Sequence, residues 1–86
     1  MYLNIGNGYL VPTSAVIGIF DMDNATWSRR TRQTLEAAEQ RGDLINAAED
    51  ELPNAFVLCW EQNRQKIYLS MLTAATLRKR AGETVF

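Results

Sequence analysis

The sequence has no histidine, and Cys59 is its only cysteine. Without histidine there is no Ser/His/Asp or Cys/His set, so the usual nucleophilic hydrolases are excluded. One thiol closes no disulfide within the chain and gives no metal-ligand cluster. No apolar run approaches the roughly 20 residues that a membrane helix requires. The start, Met1 to Ile5, has no basic residue and is followed by Gly6 and Gly8, which does not resemble a signal peptide. There is no glycine-rich phosphate loop, internal repeat or low-complexity tract. What remains is a chain of 86 residues, 47% hydrophobic and 22% charged, expected in the cytoplasm and read as one domain over 1–86. Neither a cofactor nor a small-molecule substrate is expected. With disulfides and metals set aside, so small a core gains stability by association, and a homo-oligomer is expected.

Charge of one sign is missing from long stretches. Residues 1–28 contain no Lys or Arg, and 43–61 carry five acids and no base. Six of the nine basic residues fall in two clusters, Arg29-Arg30-Arg32 and Arg78-Lys79-Arg80. Net charge is only −1, yet such segregation can still give the molecule one basic face.

The pattern predicts an α+β fold: a small antiparallel sheet of four or five strands, one long helix and a short C-terminal helix. Tyr2–Ile5 and Tyr9–Val11 flank Gly6-Asn7-Gly8 as a hairpin, with Pro12 placing the second strand at an edge. Val16–Phe20 is a short apolar run, hence a buried strand. Asp21–Thr26 is turn-like. A helix is expected from Trp27 to Arg41, capped by Thr26 or Ser28 and stopped by Gly42. Leu44-Ile45 can form a brief strand, and Glu49–Asn54 is an acidic loop. Phe56–Trp60 and Lys66–Ser70 read as a second hairpin. Thr73 caps a last helix, Ala74 to Ala81, stopped by Gly82. In the first strand of that hairpin both faces are apolar. The face of Val57 and Cys59, with Tyr68 beside them, is a candidate oligomer interface unless the second helix or the N-terminal hairpin covers it. Trp60, Trp27, Tyr2, Tyr9 and Tyr68 read as core positions, and Cys59 as an unreactive thiol.

Three features could carry chemistry. Ile19-Phe20-Asp21-Met22-Asp23 resembles the Asp-x-Asp nucleophile motif of haloacid-dehalogenase-type phosphatases, in which both carboxylates hold magnesium. Asn24-Ala25 replaces that family's Gly-Thr, and 86 residues cannot supply the rest of its domain, so a turn after a strand is the expected role. Arg29, Arg30 and Arg32 stand at a helix amino end. Cations there cost about 0.3–1 kcal/mol each at exposed sites. Phosphate would offset that cost; so would local pairing of Arg32 with Glu36, or of Arg29 or Arg30 with Asp23. Arg78, Lys79 and Arg80 end a helix, where cations suit the dipole and need no ligand.

Three segments together resemble the bacterial extracellular-matrix (biofilm) regulators of the RemA/RemB type. They are Tyr2-Leu3-Asn4-Ile5-Gly6, then Val16–Phe20 with the helix ending Arg41-Gly42-Asp43-Leu44-Ile45-Asn46-Ala47, then Leu69-Ser70 with Thr76-Leu77-Arg78-Lys79-Arg80-Ala81. Val-Ile-Gly-Ile-Phe-Asp and the Thr-Leu-Arg-Lys-Arg-Ala ending look closer to the RemB branch. The resemblance implies a non-catalytic transcriptional regulator that assembles, in rings among RemA-type members, and binds double-stranded DNA. The DNA-contacting arginine pair of RemA-type proteins, in the loop before the penultimate strand, does not carry over. Here that loop is Glu49-Asp50-Glu51-Leu52-Pro53-Asn54. DNA contact is therefore expected at Arg29, Arg30 and Arg32 or at Arg78, Lys79 and Arg80. The alternative is an oligomeric module that binds protein through the acidic loop.

Overall fold

The computed structural model describes residues 1–25 and 28–83. In chain order the elements are β1 (Tyr2–Asn4), β2 (Leu10–Pro12), a 3-10 turn (Thr13–Ala15), β3 (Val16–Asp21), α1 (Met22–Ala25), α2 (Arg29–Arg41), β4 (Leu44–Asn46), β5 (Ala55–Glu61), β6 (Arg64–Ser70) and α3 (Ala74–Glu83). The α+β class is as expected, but the sheet differs. Strands β1 and β2 pair only with each other, and the other four form a sheet in the order β3-β5-β6-β4. That sheet is mixed rather than antiparallel, because β4 pairs parallel to β6. The reason is α2: a long helix carries the chain back along the sheet, so the strand after it runs the same way as the strand before it. The sheet centre is the expected hairpin, closed by Gln62 and Asn63 with φ of 52° and 63°. Two consecutive left-handed residues match the twist of the flanking strands.

Both faces of the central strand β5 are covered. On one side Val57, Cys59 and Ala55 pack with Leu3, Ile5 and Val11 of the hairpin and with Ala74 and Leu77 of α3. Small residues let α3 lie close, and full burial of a side chain such as Leu77 contributes about 1.5–3 kcal/mol. On the other side Phe56 and Ile67 pack under Ala38 and Leu35 of α2. The two helices therefore lie on opposite faces of the sheet. Ser70, fully buried, ties the hairpin down: its hydroxyl donates to the Ile5 carbonyl at 2.7 Å and accepts from Leu72 N–H at 3.0 Å.

Helix ends follow the local signals in part. Ser28 is the amino cap of α2, its hydroxyl oxygen accepting from Thr31 N–H at 3.4 Å. Thr26 and Trp27, the other expected starting residues, lie outside the described residues. Gly42 ends α2 with φ 78°. Thr73 accepts from Thr76 N–H at 3.1 Å, as an amino cap should. Gly82 does not stop α3, which continues to Glu83. Two aromatics expected in the core stand outside it: Tyr2 is 63% exposed, and Trp60, near the end of β5 on the face of Phe56 and Leu58, is 54% exposed.

Candidate nucleic-acid interface

The amino end of α2 gathers Arg29, Arg30 and Arg32 in its first turns, all exposed. The first turn contains no acidic residue. Neither Arg29 nor Arg30 pairs with a carboxylate among the described residues, so the pairing with Asp23 that could have neutralised them is not formed. Instead, the Asp21 carboxylate accepts from Asp23 N–H at 2.9 Å, a turn that starts α1 directly after β3. Among the described residues no three His, Cys, Asp or Glu side chains gather around a cation-sized space.

The second basic cluster sits elsewhere. Arg78, Lys79 and Arg80 are on α3, across the sheet from α2. Arg78 Nη2 donates to the Ile19 carbonyl at 2.9 Å, and Arg80 Nη1 to the Asn4 carbonyl at 3.1 Å. Each thus binds the backbone of a strand that lies at the edge of its sheet, which is a structural use for these charges. The six expected residues do not form one basic surface on the chain; the fold brings Arg29, Arg30 and Arg32 together and separates them from the other three.

Val57 and Cys59 are fully buried by the chain's own α3 and hairpin, which corrects the expectation that their face is open to another subunit. Burial first, and the nearby Glu61 charge second, push the Cys59 thiol up to about 12, so it stays protonated and inert. Tyr68 is half-buried on the same face, and its hydroxyl donates to Glu61 Oε1 at 2.6 Å. Burial and that carboxylate raise its pKa well above the usual tyrosine value.

Two further features escaped the sequence. The first is an ion triad. The buried Asp43 carboxylate receives Arg41 Nε at 3.1 Å and Arg64 Nη2 at 2.7 Å, joining the end of α2 to the start of β6. Desolvation alone would raise its pKa, but the two guanidinium groups outweigh that and hold it below the ordinary 3.8. The Arg64 pairing is non-local, and neither Arg41 nor Arg64 gives a periodic signal.

The second is a shallow groove of about 180 Å³ beside α2, walled by Thr31, Thr34 and Leu35 of the helix and by Phe20, Phe56 and Leu58 of the sheet. Phe20 stacks on Phe56, with ring centroids 5.1 Å apart, and its ring lies over Gly18, where a Cβ would come within 2.8 Å of it. The acidic loop runs from β4 to β5, and Met22 N–H donates to the Asn54 carbonyl at its far end at 3.0 Å. Ala47 joins the hairpin-side core, and Asn7 Nδ2 donates to its carbonyl at 2.8 Å. Glu49, Asp50 and Glu51 project into solvent, and Leu52 is 85% exposed.

The arrangement is that of a small α+β domain: a mixed sheet with a helix on each face, and three exposed arginines at the amino end of α2. Among the described residues no helix is long and apolar enough to cross a membrane. Residues 2–81 match the RemA-like family, described as extracellular matrix regulatory protein A-like. The chain belongs to that family, a family of regulators. No curated protein matches the chain.

Proposed function

We propose that this chain is the subunit of a self-associating, DNA-binding regulator of extracellular-matrix genes, acting in the cytoplasm and without catalysis. The observation that carries the DNA reading is the amino end of α2. Arg29 and Arg30 are exposed there, without a carboxylate partner among the described residues, at the positive end of a helix of 13 residues. Exposed guanidinium groups in that field are stabilised by an approaching phosphate, which is attracted to the helix end as well. Such contacts read the backbone and not base identity, so each is weak and non-specific. Identical subunits on one duplex multiply them through a high effective concentration. The RemB-like branch belongs to the same proposal, supported by the Val-Ile-Gly-Ile-Phe-Asp strand and the Thr-Leu-Arg-Lys-Arg-Ala segment of α3.

A mobility-shift titration of a generic duplex at several salt concentrations tests the reading. Retardation at low salt that weakens steeply as salt rises is the expected result, with Arg29→Ala/Arg30→Ala weakening it at every salt concentration. No retardation at low salt, or an unchanged shift in the double variant, would overturn it.

A further inference from the structure

We infer that Asn7 is a modification site, at which the Gly8 backbone nitrogen displaces the side-chain amide when the hairpin tip opens. The aspartate or isoaspartate that results can no longer fasten the hairpin to Ala47. Neither DNA binding nor assembly is required for it.

The sequence contains six asparagines, and only Asn7 is followed by glycine. A Cβ on the following residue crowds the approach of its nitrogen to the asparagine Cγ, and glycine has none. Asn7 is exposed at the tip of the β1–β2 hairpin with φ of 53°, and Gly8 follows with φ of 80°. Strands β1 and β2 pair only with each other, and a lone two-stranded hairpin is marginal in water. Contacts to the rest of the fold therefore hold it in place. Its strands are held by the buried Leu3, Ile5 and Val11 and by the Ser70 clamp. Its tip is held by Asn7, whose Nδ2 donates to the Ala47 carbonyl at 2.8 Å and to Met71 Sδ at 3.9 Å.

The reaction needs no reagent but water. The Gly8 nitrogen gives its proton to solvent and bonds to Asn7 Cγ. The Cγ–Nδ2 bond breaks, and the amide nitrogen leaves as ammonia, taking the proton it needs from solvent. A five-membered succinimide joins the two residues. Water then opens that ring at Cγ to give isoaspartate's normal counterpart, aspartate, if it cleaves the new bond, or at the main-chain carbonyl to give isoaspartate. The net change replaces the side-chain amide by a carboxyl group.

The fold restrains the first step. While Nδ2 is bound to the Ala47 carbonyl, Cγ is held with it and is not free to turn onto the Gly8 nitrogen. Release of the tip is a local opening, which costs less than unfolding the whole chain. The product then keeps the tip open. An ionised carboxyl group has no donor, so the Ala47 carbonyl loses its partner and meets a negative charge instead. Isoaspartate also lengthens the main chain of the turn by one carbon. One opening event is thereby made permanent.

Incubation of the full chain at mildly alkaline pH, folded and in urea, tests this when followed by tryptic digestion and tandem mass spectrometry. The peptide spanning 1–29 should gain one mass unit, placed at residue 7 and not at Asn4 or Asn24. The gain should be at least about tenfold faster in urea, a ratio equal to about 1.4 kcal/mol of protection by the fold. Ser70→Ala removes the hairpin's other polar fastening and should speed the gain in buffer. Urea held below the unfolding midpoint of the wild type should speed it as well, and that readout needs no variant. Asn7→Asp, an exposed change that copies one product, should fold at neutral pH with a urea midpoint below that of the wild type. No gain at residue 7, equal rates for folded and unfolded chain, or an unchanged midpoint for Asn7→Asp would each overturn the inference.

Discussion

Two buried polar side chains hold this small fold in ways their neighbours could not replace. Ser70 bonds the Ile5 carbonyl and Leu72 N–H at once. Ser70→Ala leaves a buried acceptor without its partner, a loss of about 1–3 kcal/mol. A lower urea midpoint with an unchanged m-value is the expected result; an unchanged midpoint would show that the hairpin does not depend on this clamp. Asp43 makes a pH prediction. Its folded-state pKa lies below the ordinary 3.8, held there by Arg41 and Arg64 against the cost of burial. A depressed carboxylate contributes stability that is fully present above its unfolded pKa and is lost as pH falls through the folded value. The wild type should therefore keep the contribution of Asp43 at neutral pH and lose it below about pH 4. Asp43→Asn should be less stable at pH 7 but should lose less on acidification to pH 3. Urea midpoints at the two pH values, compared between the two proteins, decide it; equal losses would rule out the triad as their source.

Two glycines at helix ends look alike in sequence and differ in what they do. Both Gly42 and Gly82 follow a helical apolar pattern, and either is a reasonable stop. Gly42 has φ 78° and its N–H reaches the Ala38 and Glu39 carbonyls, whereas Gly82 continues α3 with no positive φ. Opposite signs follow for one substitution. Gly42→Ala should destabilise by about 1–2 kcal/mol, the cost of a Cβ in a left-handed conformation. Gly82→Ala should stabilise by up to about 1 kcal/mol, because glycine is a poor helix former and an added Cβ there meets no atom within 4 Å. Thermal midpoints that move the same way for both would refute this distinction. The case also shows where sequence stops being informative. Caps at Ser28 and Thr73, the Gly42 stop and the β5–β6 hairpin are local effects and were legible from residue type and spacing. The parallel pairing of β4 and the continuation of α3 past Gly82 are set by what the element packs against. So is the cover over Val57 and Cys59. Trp60 and Tyr2 mislead for the same reason: an aromatic in an alternating strand says which face it takes, not whether anything lies over that face.

At the scale of the molecule, the sheet acts as a partition. It puts α2 and its arginines on one face and α3 with Arg78, Lys79 and Arg80 on the other. Charge clustering along the chain therefore does not become a single basic surface, and the clusters should answer differently to the same experiment. Each phosphate neutralised contributes about −0.9 to the slope of log K against log salt on duplex DNA. If α2 is the contact, Arg29→Ala/Arg30→Ala should flatten that slope by about 1.8 for each subunit engaged. Lys79→Ala, an exposed change of the same sign on the opposite face, should leave the slope where it was. Arg78→Ala should also leave the slope alone but lower stability by under about 1 kcal/mol, because it removes a partly solvated bond to the β3 edge. A slope that flattens equally for Lys79→Ala would mean that DNA meets both faces of the sheet. A subunit gripping one duplex on both sides would have to be wrapped by it, and the α2 surface would then be only part of the interface. Measured on matched duplexes at matched protein concentration, the three slopes separate a one-faced contact from a wrapped one without a structure of the complex.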